Sequence, residues 1–217
     1  RIDWILVIIL FLFLCVSLLA ISSAQTSSYT GTNFVPRQVI YYGLAAFIVA
    51  CVMFFDMNHY KKFTWYLYGF GIILLVVLMF MPEGKGQIGE VIIGAKSWYH
   101  TPLGNIQPSE FMKTFYIMAC AKMISMHNEQ NVLRSMKTDF ILLSKIIALL
   151  FIPFLLVMEQ PDLGSALVFI AITIALIVVS GISWFIILPV ITLGAALGGS
   201  LIWMALNMQD FLREKFG

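Results

Sequence analysis

Long apolar runs dominate this chain and constrain its fold more than any other feature. A helix needs about 20 apolar residues to cross a bilayer core about 30 Å thick. Seven runs approach that length, and short polar connections such as DMNHYKK and EQPDLG separate them. The runs are 4–24, 38–55, 63–81, 108–126, 140–158, 165–182 and 184–206. The pattern predicts an all-α polytopic membrane protein with a single transmembrane domain over 1–217.

The composition supports this fold class and excludes others. Hydrophobic residues make up 61% of the 217 and charged residues only 11%, whereas soluble domains carry about 25% charged residues. The formal net charge of +2 is too small for a nucleic-acid-binding face. The three cysteines lie within apolar runs and lack metal-ligand or disulfide spacing. We therefore expect no nucleic-acid partner and no metal site.

Basic residues give a weak indication of orientation. With the N-terminus in the cytoplasm, seven lysines and arginines fall on the inner side and six on the outer side. The compact inner loops around Lys61 and Arg134 favour this arrangement, because short cytoplasmic loops retain basic residues. The segment 82–107 then forms an outer loop.

A polar segment, GAKSWYHTPLGNIQPSEFMK at 94–113, interrupts the apolar pattern. Its Gln107-Pro108 pair and a later Gln160-Pro161 pair both read as helix starts, because proline suits the first helical turn. One span separates the two helices, so both N-termini lie at the same membrane face. Helix N-termini bind anions through their free N–H groups. The pattern predicts either an anion site at this face or two well-formed helix starts.

Charged and aromatic side chains mark the same face. Glu110 and Lys113 are three residues apart, so they share a helical face and can pair. A lysine inside a span is costly, and it indicates either a function or a structural ion pair. Lys96 and Asp162 add charge at this face. Trp98 is either part of the site or an anchor at the membrane interface.

Five stretches of the chain carry a family resemblance. They are RIDW at 1–4, LAISSAQ at 19–25, GAKSW at 94–98, IQPSEFMK at 106–113 and EQPDLGSALV at 159–168. In this order they resemble the SEDS family (shape, elongation, division and sporulation proteins; FtsW, RodA and SpoVE), most of all its RodA branch. The combination of QPSE-x-x-K with QPDLG at this separation is the most specific part of the match.

The resemblance implies a peptidoglycan glycosyltransferase of the bacterial plasma membrane. Such an enzyme polymerises lipid II, a precursor linked to undecaprenyl diphosphate, on the outer face for cell elongation and shape. The implied partners are a class B penicillin-binding protein, other elongation or division complex proteins, and membrane lipids. No organic cofactor is implied, and the use of a divalent cation stays open.

The resemblance also implies roles for particular residues. Glu110 and Lys113 match QPSE-x-x-K and are expected to form the charged pair that shapes the catalytic cavity. The substrate-binding residues that it implies are Lys96, Trp98, Gln107, Gln160 and Asp162. Asp162 is alternatively expected to hold the sixth helix.

The catalytic aspartate of the family is expected beyond Gly217. Family members have about ten spans of bilayer length, so the seven found here correspond to the N-terminal portion. Asp210 lies where the next outer loop would begin, but no motif equates it with that aspartate. We expect the chain alone to be inactive.

Two other functions fit the same residues. A flippase for the same lipid would also use intramembrane charge, and it would move the lipid without making glycan. A non-catalytic scaffold of the cell-wall synthesis complex would tolerate neutralisation of the charged pair.

Overall fold

The computed structural model describes residues 3–27, 34–82, 96–101 and 104–194, together with 196, 200 and 203. The predicted loop residues 83–95, most of 195–206 and Asp210 lie outside the described residues. The chain divides into two compact units, Arg1–Tyr60 and Lys61–Gly217.

The first unit contains two apolar helices, α1 (Trp4–Ser27) and α2 (Val35–Met53). Asp3 begins α1 by accepting a hydrogen bond of 3.0 Å from the Ile5 N–H. The Gln38 side chain donates to Ser17 Oγ at 3.3 Å and joins the two helices. At 1.5 Å per residue, a helix of 24 residues is longer than the bilayer core.

The second unit contains most of α3 and a bundle of four further helices, with a short hairpin at one end. The helices are α3 (Met57–Phe80), α4 (Pro108–Gln130), α5 (Met136–Glu159), α6 (Leu163–Val179) and α7 (Trp184–Gly194). The hairpin consists of β1 (Tyr99–Thr101) and β2 (Gly104–Ile106), paired antiparallel. A helix thus lies at each of the seven predicted positions, which confirms the all-α polytopic fold.

The helices differ in how well they suit a bilayer. Among the described residues, α1, α2, α3 and α5 are long and apolar enough to cross a membrane. The α4 helix is less apolar because it carries Glu110, Lys113, Lys122 and Glu129. The α6 helix has only 17 residues. The membrane therefore accommodates α4 only if its charged groups find partners.

The core of the second unit lies between α3, α4, α5 and α6. Leu75, Met112, Ile146 and Phe169 are all fully buried there. The Tyr116 ring packs on the Phe169 ring at a centroid distance of 5.8 Å. Large apolar side chains on the outer faces of these helices remain exposed, as expected for surfaces that contact lipid.

Polar contacts also link α4 to the other helices along its length. Thr173 Oγ1 donates to the Phe169 carbonyl at 2.7 Å, so the Tyr116 hydroxyl must donate to Thr173 across 2.8 Å. Farther along α4, Lys122 Nζ donates to the Lys61 carbonyl and lies 5.8 Å from the centre of the Trp65 ring. These contacts supply partners for groups that hydrocarbon could not solvate.

The end of the unit opposite the hairpin is held by contacts to the turn between α6 and α7. Asn128 and Arg134 both donate to the Ser180 carbonyl, at 3.1 and 3.2 Å. The Ser183 N–H donates to Asp139 at 2.9 Å. Gly181 has a φ of 83°, a backbone conformation that favours glycine. A larger residue there would also collide with the Arg134 guanidinium.

A pair of glycines on α3 tests the packing of α3 against α4. A methyl group on Gly71 would lie 2.5 Å from Met112 Sδ and 2.9 Å from a Phe115 ring carbon, whereas one on Gly69 meets nothing within 4 Å. Overpacking costs about 1–3 kcal/mol, and replacing glycine by alanine in a helix gains about 1 kcal/mol. Unfolding in mixed micelles should therefore show a loss of stability for Gly71→Ala and a gain for Gly69→Ala. Equal changes would contradict this packing.

Candidate functional site

The hairpin positions the start of α4. Pairing of Tyr99 with Ile106 and of His100 with Asn105 brings the strand directly to Gln107, where α4 begins. The Tyr99 hydroxyl donates to the Leu74 carbonyl at 2.7 Å and so attaches the hairpin to α3. Burial raises the pKa of Tyr99 above its ordinary value, so the neutral hydroxyl persists to higher pH than that of an exposed tyrosine.

A network of four side chains joins the N-termini of α4 and α6. Gln107 Nε2 donates to Asp162 Oδ2 at 2.8 Å and approaches Ser165 Oγ at 3.3 Å. The hydroxyls of Ser109 and Ser165 lie 3.3 Å apart. We call Gln107, Ser109, Asp162 and Ser165 the α4–α6 network. It confirms that the two helix N-termini lie together at one end of the bundle.

Asp162 also caps α6. Its Oδ1 accepts from the Ser165 N–H at 3.0 Å, and its Oδ2 accepts from Ser165 Oγ at 2.7 Å. The N-terminus of α6 therefore already has an anion of its own. The sequence reading of Pro161 as a first-turn residue was wrong, because α6 begins at Leu163 and Pro161 precedes the cap.

The N-terminus of α4 differs from that of α6. Pro108 occupies the first turn, and the side chain of the N-cap residue Gln107 makes no capping hydrogen bond because it bonds to α6 instead. The positive end of the α4 dipole thus lacks a capping side chain. Of the two N-termini, only that of α6 has a capping side chain, whereas α4 carries the acidic Glu110 in its first turn.

Glu110 and Lys113 form the ion pair that their spacing predicts. Lys113 Nζ lies 2.7 Å from Glu110 Oε1. The Lys113 side chain is only 14% exposed, whereas that of Glu110 is 58% exposed. An ammonium has three donors, so Lys113 retains hydrogen-bonding capacity beyond Glu110. The pair therefore places a shielded positive charge about one and a half turns from the N-terminus of α4, which lacks a capping side chain.

The remaining predicted site residues contact α3 or the hairpin. Lys96 Nζ donates to the carbonyls of Met79 and Met81, at 2.9 and 2.6 Å, and closes the C-terminal end of α3. Gln160 is 3% exposed and donates to the Leu75 carbonyl at 3.1 Å. Trp98 lies partly buried just before β1. Their predicted roles in substrate binding remain predictions.

Sequence reasoning missed the hairpin and two serines of the network. Gly104 and Asn105 are turn-forming residues that follow a short run of Tyr, His and Thr, which is a usable hairpin signal. Ser165 stands three residues after Asp162, the spacing at which a side chain meets a helix cap. Among the described residues, no group of three or more His, Cys, Asp or Glu has the arrangement of a metal site.

The fold and the site together define a class of protein: a polytopic helical membrane protein with a charged, hydrogen-bonded site at the end of the bundle where the hairpin joins α4. A profile of the FtsW/RodA/SpoVE cell cycle proteins matches residues 1–216. The chain belongs to this family, whose members are multi-pass membrane proteins.

Two curated relatives illustrate the similarity. Stage V sporulation protein E of Bacillus subtilis is 32% identical over 203 residues, which cover 90% of this chain and 53% of that protein. The "Probable peptidoglycan glycosyltransferase FtsW" of Pasteurella multocida is 30% identical over 224 residues, which cover 99% of this chain and 52% of that protein. The chain spans about half the length of the curated relatives it matches.

Two solved structures share the fold. The rod shape determining protein RodA of Thermus thermophilus gives a TM-score of 0.65 at 24% identity, covering 90% of this chain and 59% of that one. A chain from a peptidoglycan synthase complex that coordinates polymerization and crosslinking gives 0.69 at 22% identity, covering 99% of this chain and 60% of that one. At these identities the likeness extends to the fold alone.

The stability of a Lys96 variant tests whether this lysine holds the end of α3. Because Lys96 bonds to two carbonyls at the end of α3, Lys96→Met should lower the free energy of unfolding by about 1.5–3 kcal/mol, the range for a hydrogen bond to a charged group. Lys137→Met, at an exposed position of α5, is the matched control and should change stability by less than about 0.5 kcal/mol. Unchanged stability of Lys96→Met would contradict the helix-closing role.

Proposed function

We propose that the full-length protein is a peptidoglycan glycosyltransferase that polymerises lipid II on the outer face of the bacterial plasma membrane. The observation that carries the proposal is the shielded Lys113, paired with Glu110 beside the uncapped N-terminus of α4. The names of the FtsW relatives support the same activity. A disaccharide carried on a lipid diphosphate is an anionic substrate with an apolar tail, and this site offers positive charge at the edge of an apolar bundle.

The charge arrangement suits departure of a diphosphate. In glycosyl transfer the acceptor hydroxyl oxygen bonds to the anomeric carbon, and the bond from that carbon to the diphosphate oxygen breaks. The electron pair stays on the diphosphate, whose negative charge grows as the bond breaks. Lys113 and the N–H groups of the first turn of α4 would stabilise that charge, and preorganised donors of this kind have the largest effect in sites shielded from water.

Glu110 would neutralise the Lys113 ammonium when no substrate is bound. A lone lysine within the bundle is costly, and the carboxylate 2.7 Å away reduces that cost. Because Glu110 is mostly exposed, it is able to turn away when a phosphate takes its place beside Lys113. The reaction also needs a base for the acceptor hydroxyl, and we assign that role to a residue outside 1–217.

The proposal extends to a partner and to a cellular role. A related fold occurs in a peptidoglycan synthase complex that couples polymerization to crosslinking. We propose that this protein likewise works with a class B penicillin-binding protein, and that it serves elongation and cell shape. Depletion in a rod-shaped host should then give round cells. Filaments with blocked septa would assign it to division instead.

Two lysines of α4 provide a direct test of the activity. The full-length gene product, purified with its crosslinking partner, should form glycan from lipid II in liposomes. Lys113→Met should lower the rate by about 100-fold or more, the effect of removing one transition-state donor. Lys122→Met, which removes the lysine bound near Trp65 farther along α4, should retain activity.

Three outcomes would contradict this assignment. Equal activity of Lys113→Met and the unmodified protein would remove Lys113 from the site. Transfer of labelled lipid II across the membrane without glycan formation would indicate a flippase. Normal assembly with the partner, without either activity, would indicate a scaffold.

A further inference from the structure

A strip of exposed side chains runs along one side of α5 from its first turn. Its members are three or four residues apart, the spacing that places side chains above one another on a helix. All of them are exposed: Lys137, Ile141, Lys145, Ala148 and Ile152. We call these five residues the α5 strip. Both lysines lie in its first part, and the members beyond Lys145 are apolar, so the strip changes from basic to apolar along the helix.

Lys145 is the member of the strip that most needs a partner. It stands nine residues after Met136, where α5 begins, which places it about 14 Å along a helix long and apolar enough to cross the membrane. An ionisable residue at such a depth is costly and indicates a function. Helical side chains lean toward the N-terminus of their helix, so the Lys145 ammonium extends toward the membrane surface at the start of α5.

The protein does not neutralise these two charges within the part of the chain that the structure describes. There, neither lysine of the strip forms an ion pair. The nearby carboxylates have other partners. Glu129 accepts a hydrogen bond from a serine of its own helix at 2.9 Å. Asp139 is buried against the turn between α6 and α7, where it accepts from the Ser183 N–H at 2.9 Å.

The other exposed side of α5 gives a reference for ordinary lipid contact. Its large side chains are exposed and all apolar: Met136, Phe140, Ile147 and Phe151. Such side chains suffice where a helix contacts hydrocarbon alone. The strip differs from this side by its two lysines, so its ligand carries negative charge as well as a hydrocarbon chain.

We infer that the α5 strip binds an anionic phospholipid, with the headgroup phosphate between Lys137 and Lys145 and an acyl chain along Ala148 and Ile152. The two lysines are eight residues apart, or about 12 Å along the helix axis, and the Lys145 side chain leans into this interval. A phosphate there would contact both ammonium groups.

The position of the strip agrees with this ligand. The strip begins at the end of the bundle opposite the hairpin, which the expected orientation places in the inner leaflet. Basic residues at that surface are attracted to anionic headgroups. The inference does not depend on the proposed enzymatic activity, because it concerns a different end of the bundle and a lipid that is not consumed.

A titration with phosphatidylglycerol tests the site in the full-length protein. Thermal unfolding is followed in micelles of a neutral detergent with increasing phosphatidylglycerol, and with phosphatidylcholine as the zwitterionic control. A lipid that binds only the folded protein raises Tm as its concentration rises. Lys145→Met should raise the apparent Kd for phosphatidylglycerol about fivefold, equivalent to about 1 kcal/mol, and leave that for phosphatidylcholine unchanged. Lys137→Met should act in the same way, and without phosphatidylglycerol neither variant should lower Tm.

Two further variants distinguish a defined site from general attraction between charges. Lys145→Arg keeps the positive charge and should retain the affinity for phosphatidylglycerol, because arginine also binds phosphate. Lys62→Met removes an exposed lysine of α3 outside the strip and should leave that affinity unchanged.

Three results would overturn the inference. Equal effects of Lys62→Met and Lys145→Met would show attraction to the charge of the whole surface. Equal affinities of the unmodified protein for the two phospholipids would show contact with bulk lipid. A lower Tm of Lys145→Met without phosphatidylglycerol would show that a carboxylate elsewhere in the full-length protein pairs with Lys145. Lipid II is absent from these measurements, so none of them depends on glycan polymerisation.

Discussion

The hydrogen bond from Gln107 to Asp162 is the contact on which the rest of the site depends. It joins two helix N-termini that are 55 residues apart in sequence. The half-buried Asp162 carboxylate accepts hydrogen bonds from the Ser165 N–H at the start of α6 and from the Gln107 amide, which offset the cost of its burial. Because the Gln107 side chain bonds to α6, it does not cap α4.

Contacts of other α4 side chains explain why this membrane helix tolerates so many polar groups. Lys113 is paired with Glu110, Tyr116 bonds to Thr173, and Lys122 bonds to a carbonyl of α3. Each group has a partner in place of water, as hydrocarbon requires. As a result, α4 is less apolar than α3, α5 and α6, and it carries the Glu110–Lys113 pair near its N-terminal end.

The sequence predicted the helices well because the length and apolarity of a span follow from the thickness of the bilayer. It also predicted that the α4 and α6 N-termini share one end, since this follows from counting spans, and that Glu110 pairs with Lys113, since helical spacing dictates it. It could not predict that Gln107 bonds to Asp162, or that Lys96 closes α3. Those contacts join residues distant in sequence, and only tertiary packing decides them.

A double-mutant cycle on Gln107 and Asp162 tests this account most directly. Gln107→Ala, Asp162→Ala and the double variant would be unfolded in mixed micelles alongside the unmodified protein. If the contact holds the two helix ends together, the two effects should be non-additive, with a coupling energy of about 1 kcal/mol or more. Additivity within about 0.3 kcal/mol would show that the contact does not stabilise the site, and would contradict the account.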